Sequence, residues 1–456
     1  MSAQGYSGST GCGVGRGRVG AAAVAAVALA AASLAAGAET PLAAQDTLPP
    51  GGVRVGITYT PGTRPSLVVA RAGAAAFDSV RAVLERDLDF SDQFEILTPP
   101  GSAPRGGDAP DYRVYRAVGA ELLVTLVPVE GRPDGVEVRL HDARRGSLLR
   151  STAVSDAGGA GGRWSVHRAA DEVVRWVTGR PGIAATRLLF VRDGRLWRVD
   201  SDGSDLALVP SAGRPALSPA WSPDGRRIAY TAFVKSGQPV VLQDLESGER
   251  EVVPSTEYGL NITPEFSRDG SRLAFAHGAE AGTDVYVYDV ARRCCVSRIT
   301  VGRFSDNLSP TWGPEGNRLA FVSTRAGTPQ LYWMDADGGN PEVLGRFDYG
   351  ATGPTNGPSW SPDGQAVAFH REVGGTPQVF ALDLATRAVR QLTGTGRNED
   401  PTWAPDGRHL CFVSTRGGTR GLWVLDVETG RVRQLTAAGG ARLPAWSPRL
   451  SSAGGN

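Results

Sequence analysis

The stretch Pro358-Ser-Trp-Ser-Pro-Asp-Gly364 decides the fold, because five close copies of it occur elsewhere in the chain. These copies are Pro219-Ala-Trp-Ser-Pro-Asp-Gly225, Pro264-Glu-Phe-Ser-Arg-Asp-Gly270, Pro310-Thr-Trp-Gly-Pro-Glu-Gly316, Pro401-Thr-Trp-Ala-Pro-Asp-Gly407 and Pro444-Ala-Trp-Ser-Pro448. From one aromatic residue to the next, the spacings are 45, 46, 48, 43 and 43 residues. A period in the low to mid forties with β-type content indicates a β-propeller with one four-stranded blade per repeat.

Each repeat has the same internal order. The motif ends in a tight reversal, because its proline presets φ and its glycine accepts the positive φ that a side chain resists. An apolar strand such as Arg318–Val322 follows, then a loop, an alternating strand such as Gln330–Met334, a turn, and a polar strand such as Val389–Thr393. We predict that these segments form strands A, B, C and D of a blade, from the central channel outward.

The two ends of the repeat region complement each other. Three predicted strands at 188–209 precede the first motif and have no motif of their own, whereas no further strands follow the sixth motif, Pro444–Pro448. Joining them completes one blade and leaves no open sheet edge. We therefore predict an all-β six-bladed propeller over residues 186–448, which the C-terminal inner strand closes by pairing with the strands at 188–209.

The sequence before the propeller predicts export and a second, smaller domain. Residues 1–38 combine Arg16 and Arg18 with an Ala/Val/Leu-rich segment and a small-x-small cleavage site, and a later cut at residue 44 stays open. The apolar segment is too short and too alanine-rich for a membrane span. Residues 39–52 read as a flexible N-terminal arm, and residues 53–180 as a small α/β domain whose helical segments show amphipathic spacing.

Composition excludes several classes of function. The formal net charge is +1 and the charges are not clustered, so no nucleic-acid partner is predicted. The predicted mature chain lacks a Gly-x-Ser-x-Gly nucleophile elbow, and its five histidines lie far apart without metal-ligand spacing. We therefore expect no catalytic residue, no cofactor and no metal site. The carboxylates of Asp200–Asp205 allow a calcium interpretation, but ordinary hairpin-turn chemistry is the preferred one.

Two further patterns carry an interpretation and an alternative. The repeated tryptophan is interpreted as core between blades and not as a ligand cage. Cys294 and Cys295 are adjacent, and Cys411 stands alone. Two free thiols are the preferred interpretation of the adjacent pair, with a vicinal disulfide as the alternative.

The order of these features resembles the TolB family of the Tol–Pal envelope system. An export signal, a small α/β domain, the Trp-Ser-Pro-Asp-Gly repeats and the ending Leu443–Pro448 occur in that order. Local matches include Val53-Arg-Val55, Asp171-Glu-Val-Val174 and Thr186-Arg-Leu188. The resemblance implies a monomeric, non-enzymatic periplasmic protein that supports outer-membrane integrity and envelope constriction at cell division.

The resemblance also implies the partners. A peptidoglycan-associated lipoprotein is expected to bind the propeller, and an inner-membrane Tol protein to bind the N-terminal arm. The family's lipoprotein contacts lie just ahead of the motif, and in this chain those positions are Leu260, Asn261, Thr263, Leu308 and Ser309.

The propeller geometry points to the same side independently of the resemblance. Strand direction alternates within a blade, so the D–A and B–C loops open on one face, the loop face, and the A–B and C–D turns open on the other, the turn face. The turns are short and uniform, whereas the loops vary in length and chemistry, as recognition loops do. We expect the partner on the loop face, around Asn261, Thr263, Asp306, Asn307, Asn356, Glu399 and Arg442.

Two other classes of protein remain open from the sequence. One is an exported propeller that binds a sugar or peptide ligand. The other is a propeller of prolyl-oligopeptidase-like ancestry without a catalytic domain, since such propellers use similar repeats.

Overall fold

A computed structural model describes residues 64–451 apart from 71–76, 100, 102–109, 156, 158–160, 211–214, 255, 257, 280, 281, 303, 346–352 and 438. The predicted signal peptide at 1–38, the arm at 39–52 and the start of the α/β domain lie outside the described residues. None of the helices in the described part of the chain has the length and apolar character needed to cross a membrane.

The N-terminal part is a five-stranded mixed sheet with helices on both faces. Its elements are β1 (Ser66–Val69), α1 (Asp78–Phe90), β2 (Glu95–Leu97), α2 (Tyr112–Ala117), β3 (Leu122–Pro128), β4 (Val136–Asp142), β5 (Ser147–Val154) and α3 (Gly162–Thr178). The strand order is β2-β1-β3-β4-β5, with β1 parallel to both of its neighbours and the remaining pairs antiparallel.

Apolar spacing on the helices explains this packing. Helix α1 buries Val80, Leu84 and Leu88, one face of a 3.6-residue repeat, and packs with α3 on one side of the sheet. Helix α2 buries Tyr115 against the other side. Helix α3 ends at Thr178, and Gly179 directly after it has a φ of 81°, the left-handed conformation typical of a helix terminus.

Six four-stranded antiparallel sheets follow, which confirms the predicted six-bladed propeller. Blade 1 contains β9 (Ala216–Trp221), β10 (Arg227–Ala232), β11 (Val240–Asp244) and β12 (Arg250–Val252); blade 2, β13 (Leu260–Phe266), β14 (Arg272–Ala279), β15 (Gly282–Asp289) and β16 (Cys294–Arg298). Blade 3 contains β17 (Asn307–Trp312), β18 (Arg318–Ser323), β19 (Gln330–Asp335) and β20 (Glu342–Val343); blade 4, β21 (Thr355–Trp360), β22 (Ala366–Val373), β23 (Thr376–Asp383) and β24 (Val389–Gln391). Blade 5 contains β25 (Asn398–Trp403), β26 (His409–Ser414), β27 (Gly421–Asp426) and β28 (Val432–Gln434).

Blade 6 is built from both ends of the repeat region. It contains β29 (Arg442–Trp446), β6 (Arg187–Arg192), β7 (Arg195–Asp200) and β8 (Ala207–Leu208). Strand β29 is the inner strand and pairs with β6, so that Trp446 lies opposite Leu188. The Trp446 indole Nε1 donates to Thr186 Oγ1 at 2.8 Å, and Ser447 N donates to the Arg187 carbonyl at 2.8 Å. The last inner strand therefore seals the ring.

The repeated motif forms the A–B turn, as its residue types predict. In blade 1, Gly225 has a φ of 70° and its N–H donates to the Ser222 carbonyl at 2.9 Å. The Ser222 hydroxyl and the Arg226 N–H both donate to Asp224 Oδ1. Serine and aspartate thus close the turn around the glycine, which explains why this trio recurs.

The motif's aromatic residue joins neighbouring blades. The indole Nε1 of Trp312 donates to the Glu265 carbonyl of the preceding blade at 3.1 Å, and Trp403 repeats this bond to Ser359 at 3.1 Å. Trp312 and Trp403 are buried, whereas Trp360 is only half-buried. The tryptophans therefore serve as core between blades, and one edge of the ring of aromatic residues also lines the channel.

The α/β domain contacts the turn face over blades 5 and 6. Arg431, in the C–D turn of blade 5, binds Asp89 Oδ2 at 2.9 Å and Asp92 Oδ1 at 2.8 Å, just after α1. His409, in blade 5, lies between Asp406 Oδ2 at 2.6 Å and Asp92 Oδ2 at 3.3 Å. Burial alone would lower the pKa of His409, but these two carboxylates outweigh it and raise the pKa to about 9.

The acidic hairpin of blade 6 makes the second ionic contact. Asp202 is almost fully buried and accepts hydrogen bonds from Arg86 of α1 and Arg163 of α3. Asp200 pairs with Arg187 at 2.7 Å. The segment forms the hairpin turn that the sequence predicted, and its carboxylates meet arginine cations. Its role in docking the α/β domain has no signal in the sequence.

Cys294 and Cys295 are joined by a disulfide bond at the start of β16. The preferred interpretation of two free thiols is therefore wrong, and the alternative is correct. Adjacency alone could not decide between the two, because the bond depends on the backbone at Cys295, whose φ is 65°.

Removing Leu443–Asn456 should destabilise the propeller strongly, because blade 6 would lose its inner strand and expose the edge of β6. Losing Trp446 alone costs about 3–5 kcal/mol, so we expect the Tm to fall by roughly 10 °C or more and aggregation to increase. A chain ending at Ser451 is the control and should melt like the parent. An unchanged Tm in the chain that lacks Leu443–Asn456 would refute closure of the ring by β29.

His409→Gln should reduce stability at neutral pH by roughly 3–5 kcal/mol, because Asp406 loses its buried cation and Asp92 keeps only Arg431. A raised folded-state pKa stabilises most below the ordinary value of 6.5, and this contribution is lost as the pH rises through about 9. Urea unfolding midpoints from pH 6 to 10 should therefore slope downward in the parent and less in the variant.

His141→Gln is the matched control, since burial lowers the pKa of His141 to about 4 and its contribution falls on acidification instead. An alkaline slope that persists in His409→Gln and disappears in His141→Gln would contradict the assignment.

Candidate functional site

The residue before the motif proline has the same unusual backbone in all six blades. These residues are Ser218, Thr263, Ser309, Gly357, Asp400 and Leu443, with φ between 49° and 57°. Each inner strand has a register shift at this point, the mark of a β-bulge. A non-glycine residue in this conformation costs of order 1–3 kcal/mol, and such strain clusters at functional sites. We call these six residues the bulge ring.

The bulge ring surrounds the loop-face end of the channel. A cavity of about 220 Å³ opens there, lined by all six ring residues together with the motif prolines, Glu265, Asn356 and His370. The bulge turns one residue of each blade out of the ladder and toward the channel. The same backbone feature thus shapes the cavity in every blade, whereas the side chains that line the cavity differ from blade to blade.

Three of the predicted site residues line this cavity. Thr263 and Ser309 belong to the bulge ring, and Asn356 precedes the ring residue of blade 4. All three are half-buried. The prediction of contacts just ahead of the motif therefore selected positions that the structure brings together.

Two other predicted residues are structural. Asn261 is fully buried, and its amide nitrogen donates to the carbonyls of Gln238, Thr256 and Tyr258. Asn307 is also fully buried and accepts from the Ser323 hydroxyl at 2.8 Å. These amides hold the loops in place, so they cannot contact a partner directly.

The remaining predicted residues are not among those that line the cavity. Leu308, Glu399 and Arg442 occupy the same register position, one residue before the ring, in blades 3, 5 and 6. Leu308 packs on the core between blades 3 and 4, and Glu399 binds Arg397 and Arg420 at 3.2 and 3.0 Å.

Leu260 is 42% exposed, whereas Asp306 accepts from the Thr283 N–H at 3.1 Å. Leu260, unlike Asp306, therefore presents an apolar side chain to solvent on the loop face.

The sequence reasoning missed a group of exposed apolar residues on two neighbouring D–A loops. Tyr258 is 73% exposed, Val301 76% and Phe304 94%, beside Leu260. Single exposed apolar residues are ordinary, but these stand on two successive D–A loops of the same face, which makes them candidates for an interaction surface. Their signal was available, since large apolar residues stand in otherwise polar loops.

Glu265 was also missed, although it stands where the other repeats have Ala, Thr or Ser. It is half-buried along the channel and lines both the loop-face cavity and a second one of about 480 Å³ toward the turn face. Its Oε1 accepts from Trp312 N at 3.0 Å and Thr311 Oγ1 at 2.9 Å. Burial raises the pKa of this carboxyl to about 7, more than these two bonds lower it.

His370 and Asp400 form the polar side of the mouth. His370 Nδ1 accepts from the Asp400 N–H at 3.2 Å, and Asp400 Oδ2 accepts from the Leu443 N–H at 3.3 Å. Burial lowers the pKa of His370. The neutral imidazole therefore accepts a hydrogen bond from one bulge, and Asp400 links that bulge to the bulge of blade 6.

Two carboxylate–histidine groups have the composition of metal sites. In the described part of the chain, Asp87, His167 and Asp202 form one, and Asp92, His409 and Asp426 the other. Each lies where the α/β domain meets the propeller, and arginines already bind Asp202, Asp92 and Asp426. These ion pairs make both groups salt-bridge clusters and poor cation sites.

Comparison with known proteins agrees with this architecture. The family model of the TolB beta propeller domain matches residues 174–450. The chain belongs to the TolB family. The Tol-Pal system protein TolB of Alcanivorax borkumensis is 34% identical over 224 residues, which cover 46% of this chain and 51% of that protein. TolB of Anaeromyxobacter dehalogenans is 36% identical over 254 residues, covering 53% and 56%.

A solved TolB structure shares the fold over a longer range. The crystal structure of TolB from Acinetobacter baumannii superposes with a TM-score of 0.72 at 26% identity, covering 85% of this chain and 97% of that one. In the sequence comparisons, by contrast, the chain spans about half the length of the curated TolB relatives it matches. These matches confirm the family resemblance found in the sequence.

Glu265→Gln should stabilise the protein at pH 8 by roughly 1–2 kcal/mol, because it removes a carboxylate that is ionised at a desolvated position. A raised carboxyl pKa makes the folded state bind more protons than the unfolded state between 4.5 and about 7. Stability therefore falls as the pH rises through that window and is level above it. The extra stability of Glu265→Gln over the parent should disappear by about pH 4, because the carboxyl is then protonated in both the folded and the unfolded state.

The pH dependence of urea midpoints measures this effect. Thr402→Ala is the control, since Thr402 occupies the same position in blade 5 and accepts from Trp446 N without titrating. Equal stabilisation by Glu265→Gln at pH 4 and pH 8 would show that charge is not the cause.

Proposed function

We propose that this chain is a non-enzymatic, monomeric periplasmic scaffold of a Tol–Pal system. It would bind a peptidoglycan-associated lipoprotein through the loop face and an inner-membrane Tol protein through the N-terminal arm at 39–52. This role would support outer-membrane integrity and envelope constriction at cell division. Membership of the TolB family supports the system, and the predicted export signal supports the compartment.

The contrast between the two ends of the propeller is the observation that supports the loop face as the binding face. On the turn face, the α/β domain covers part of blades 5 and 6 through Arg431, His409 and Asp202. The loop face instead combines an open cavity with the strained bulge ring around it. A protein loop inserted into the mouth would reach this cavity, and the exposed residues of the D–A loops would pack beside it.

The expected energetics follow from the character of the residues. Partly exposed polar residues on the rim of an interface contribute little, whereas aromatic anchors that become buried dominate affinity. Phe304 and Tyr258 are such anchors, because each exposes most of its ring. Thr263 lies at the mouth itself, where a long side chain would block insertion.

Affinity capture of the mature protein from an envelope extract tests the assignment to the system. We expect the lipoprotein among the captured proteins. Capture of only unrelated proteins, or of none, would refute the proposed function.

Variants of the two faces test the binding surface. Phe304→Ala should weaken lipoprotein binding by about tenfold or more, and Thr263→Arg at least as much. Val343→Ala is the control for lost apolar surface, because Val343 is 45% exposed on the outer strand β20. Neither loop-face variant should change the Tm by more than about 2 °C, since neither removes a core contact. Asn307 is unsuitable for this test because it is buried.

Glu246→Ala is the turn-face control. Its only ion pair within the described residues is a long contact of 3.6 Å to Arg226. Glu428 is less suitable, since it binds Arg408 at 2.9 Å beside the α/β domain. Loss of binding in Glu246→Ala, with normal binding in Phe304→Ala and Thr263→Arg, would place the partner on the turn face and refute the proposed binding surface.

A small-ligand propeller is the second candidate, favoured by the 480 Å³ channel cavity. Its lining combines tryptophan and proline rings with one carboxylate, Glu265, and two arginines, Arg268 and Arg449, and such a mixture of apolar surface with a few polar groups suits an organic ligand. A thermal shift with muropeptides that Glu265→Gln abolishes would favour this candidate over the scaffold.

A further inference from the structure

The Cys294–Cys295 bond lies on the outer rim of the propeller. Strand β16 is the last strand of blade 2 and pairs with β15 alone within its sheet. Cys294 is half-buried, and Cys295 is exposed. The register between β15 and β16 shifts between Val287 and Asp289, and Cys295 has a φ of 65°, so Cys295 lies in a bulge of the outermost ladder, next to the paired Cys294. A solvent-borne thiol can therefore approach Cys295.

This bond is a poor structural staple. A disulfide stabilises a fold mainly by restricting the unfolded chain, and the effect grows with the length of the loop that it closes. Here the sequence separation is 1, so the bond joins no two elements and closes almost no loop. Stabilisation of the fold does not explain its presence.

The local charges favour exchange. Arg292 and Arg293 precede the pair directly, with side chains 79% and 71% exposed. Their contacts to carboxylates are long, 3.5 Å to Asp289 and 3.8 Å to Glu251, so both guanidinium groups next to the pair in sequence stay largely exposed to solvent. Nearby cations stabilise a thiolate, and a better thiolate leaving group makes the disulfide easier to open.

The third cysteine of the predicted mature chain cannot take part. Cys411 is fully buried in β26, and burial raises the pKa of its thiol. A buried thiol of high pKa is a poor nucleophile toward a disulfide. The vicinal pair is thus set up to react with an external partner.

We propose that Cys294–Cys295 is a reversible redox modification site that exchanges with an external dithiol. A thiolate of the dithiol attacks Cys295 Sγ, the bond to Cys294 Sγ breaks, and Cys294 leaves as a thiolate that takes up a proton. The second thiol of the reductant then displaces Cys295. The cysteine pair gains two electrons and two protons and becomes two thiols, while the dithiol becomes a disulfide.

The structural consequence is local. Reduction removes the covalent link that accompanies the bulge, so Cys295 can leave the left-handed conformation and β16 can adjust its pairing with β15. The inner strand β13 is separated from this edge by β14 and β15, and the cysteine pair lies at the turn-face end of β16, away from the loop face. The redox state should therefore alter the rim of blade 2 without unfolding the propeller.

The test uses the folded mature chain, dithiothreitol as the dithiol, and N-ethylmaleimide trapping followed by intact mass and peptide mapping. Untreated protein should take no label. After mild reduction, two labels should appear, one on Cys294 and one on Cys295, whereas Cys411 should react only after denaturation. The Tm should shift by less than about 2 °C. When oxidised glutathione is added to reduced protein before labelling, the Cys294–Cys295 bond should form again. The protein should then take no label and carry no glutathione adduct.

Cys294→Ser/Cys295→Ser is the matched control and should remain unlabelled in the folded state. Four outcomes would overturn the proposal. Labelling without reductant would show that the bond is absent, and labelling only after denaturation would show that it is inaccessible. A large fall in Tm on reduction would show a structural staple, and a persistent glutathione adduct would show that the site does not reclose.

Discussion

The hydrogen bonds between β29 and β6 are the constraint on which the rest of the structure depends. A blade has an apolar face on each side and must pack between two neighbours, so a propeller is stable only when its ring is complete. In this chain, residues 442–446 complete a sheet begun at residue 187. The closure brings sequence-distant segments together and gives the channel its continuous wall.

Closure also gives the molecule two unlike faces. The A–B turns are built from the same Ser, Asp and Gly interactions in several blades, which makes the turn face regular and suitable for docking the α/β domain. The loop face is free to vary, because its loops are anchored from inside by buried amides such as Asn261 and Asn307. Rigid support with variable loops is a common arrangement for recognition.

Stability is reduced where recognition is expected. The five non-glycine members of the bulge ring keep a costly backbone conformation, and Glu265 keeps a carboxyl in a desolvated channel. Glycine or a neutral side chain would be less costly at these positions. Proteins retain such features at functional sites, which is why these residues support the proposed binding mouth.

The repeat determined the propeller, its blade number and the A–B turns, because strand period, turn residues and an aromatic core position are local properties of the chain. It also placed Thr263, Ser309 and Asn356 near one another, since equivalent positions of successive blades meet around one axis. The family resemblance pointed to two of these positions, Thr263 and Ser309.

Only the tertiary structure decided which residues at the mouth are accessible. Asn261 and Thr263 are two residues apart, yet one is buried and the other lines the cavity, because the β-bulge between them and the motif proline redirects the chain. The contacts of Asp202 and His409 with the α/β domain could not be predicted from the sequence either. Ion pairs between distant segments leave no period or spacing in the sequence, because they depend on where whole domains come to rest.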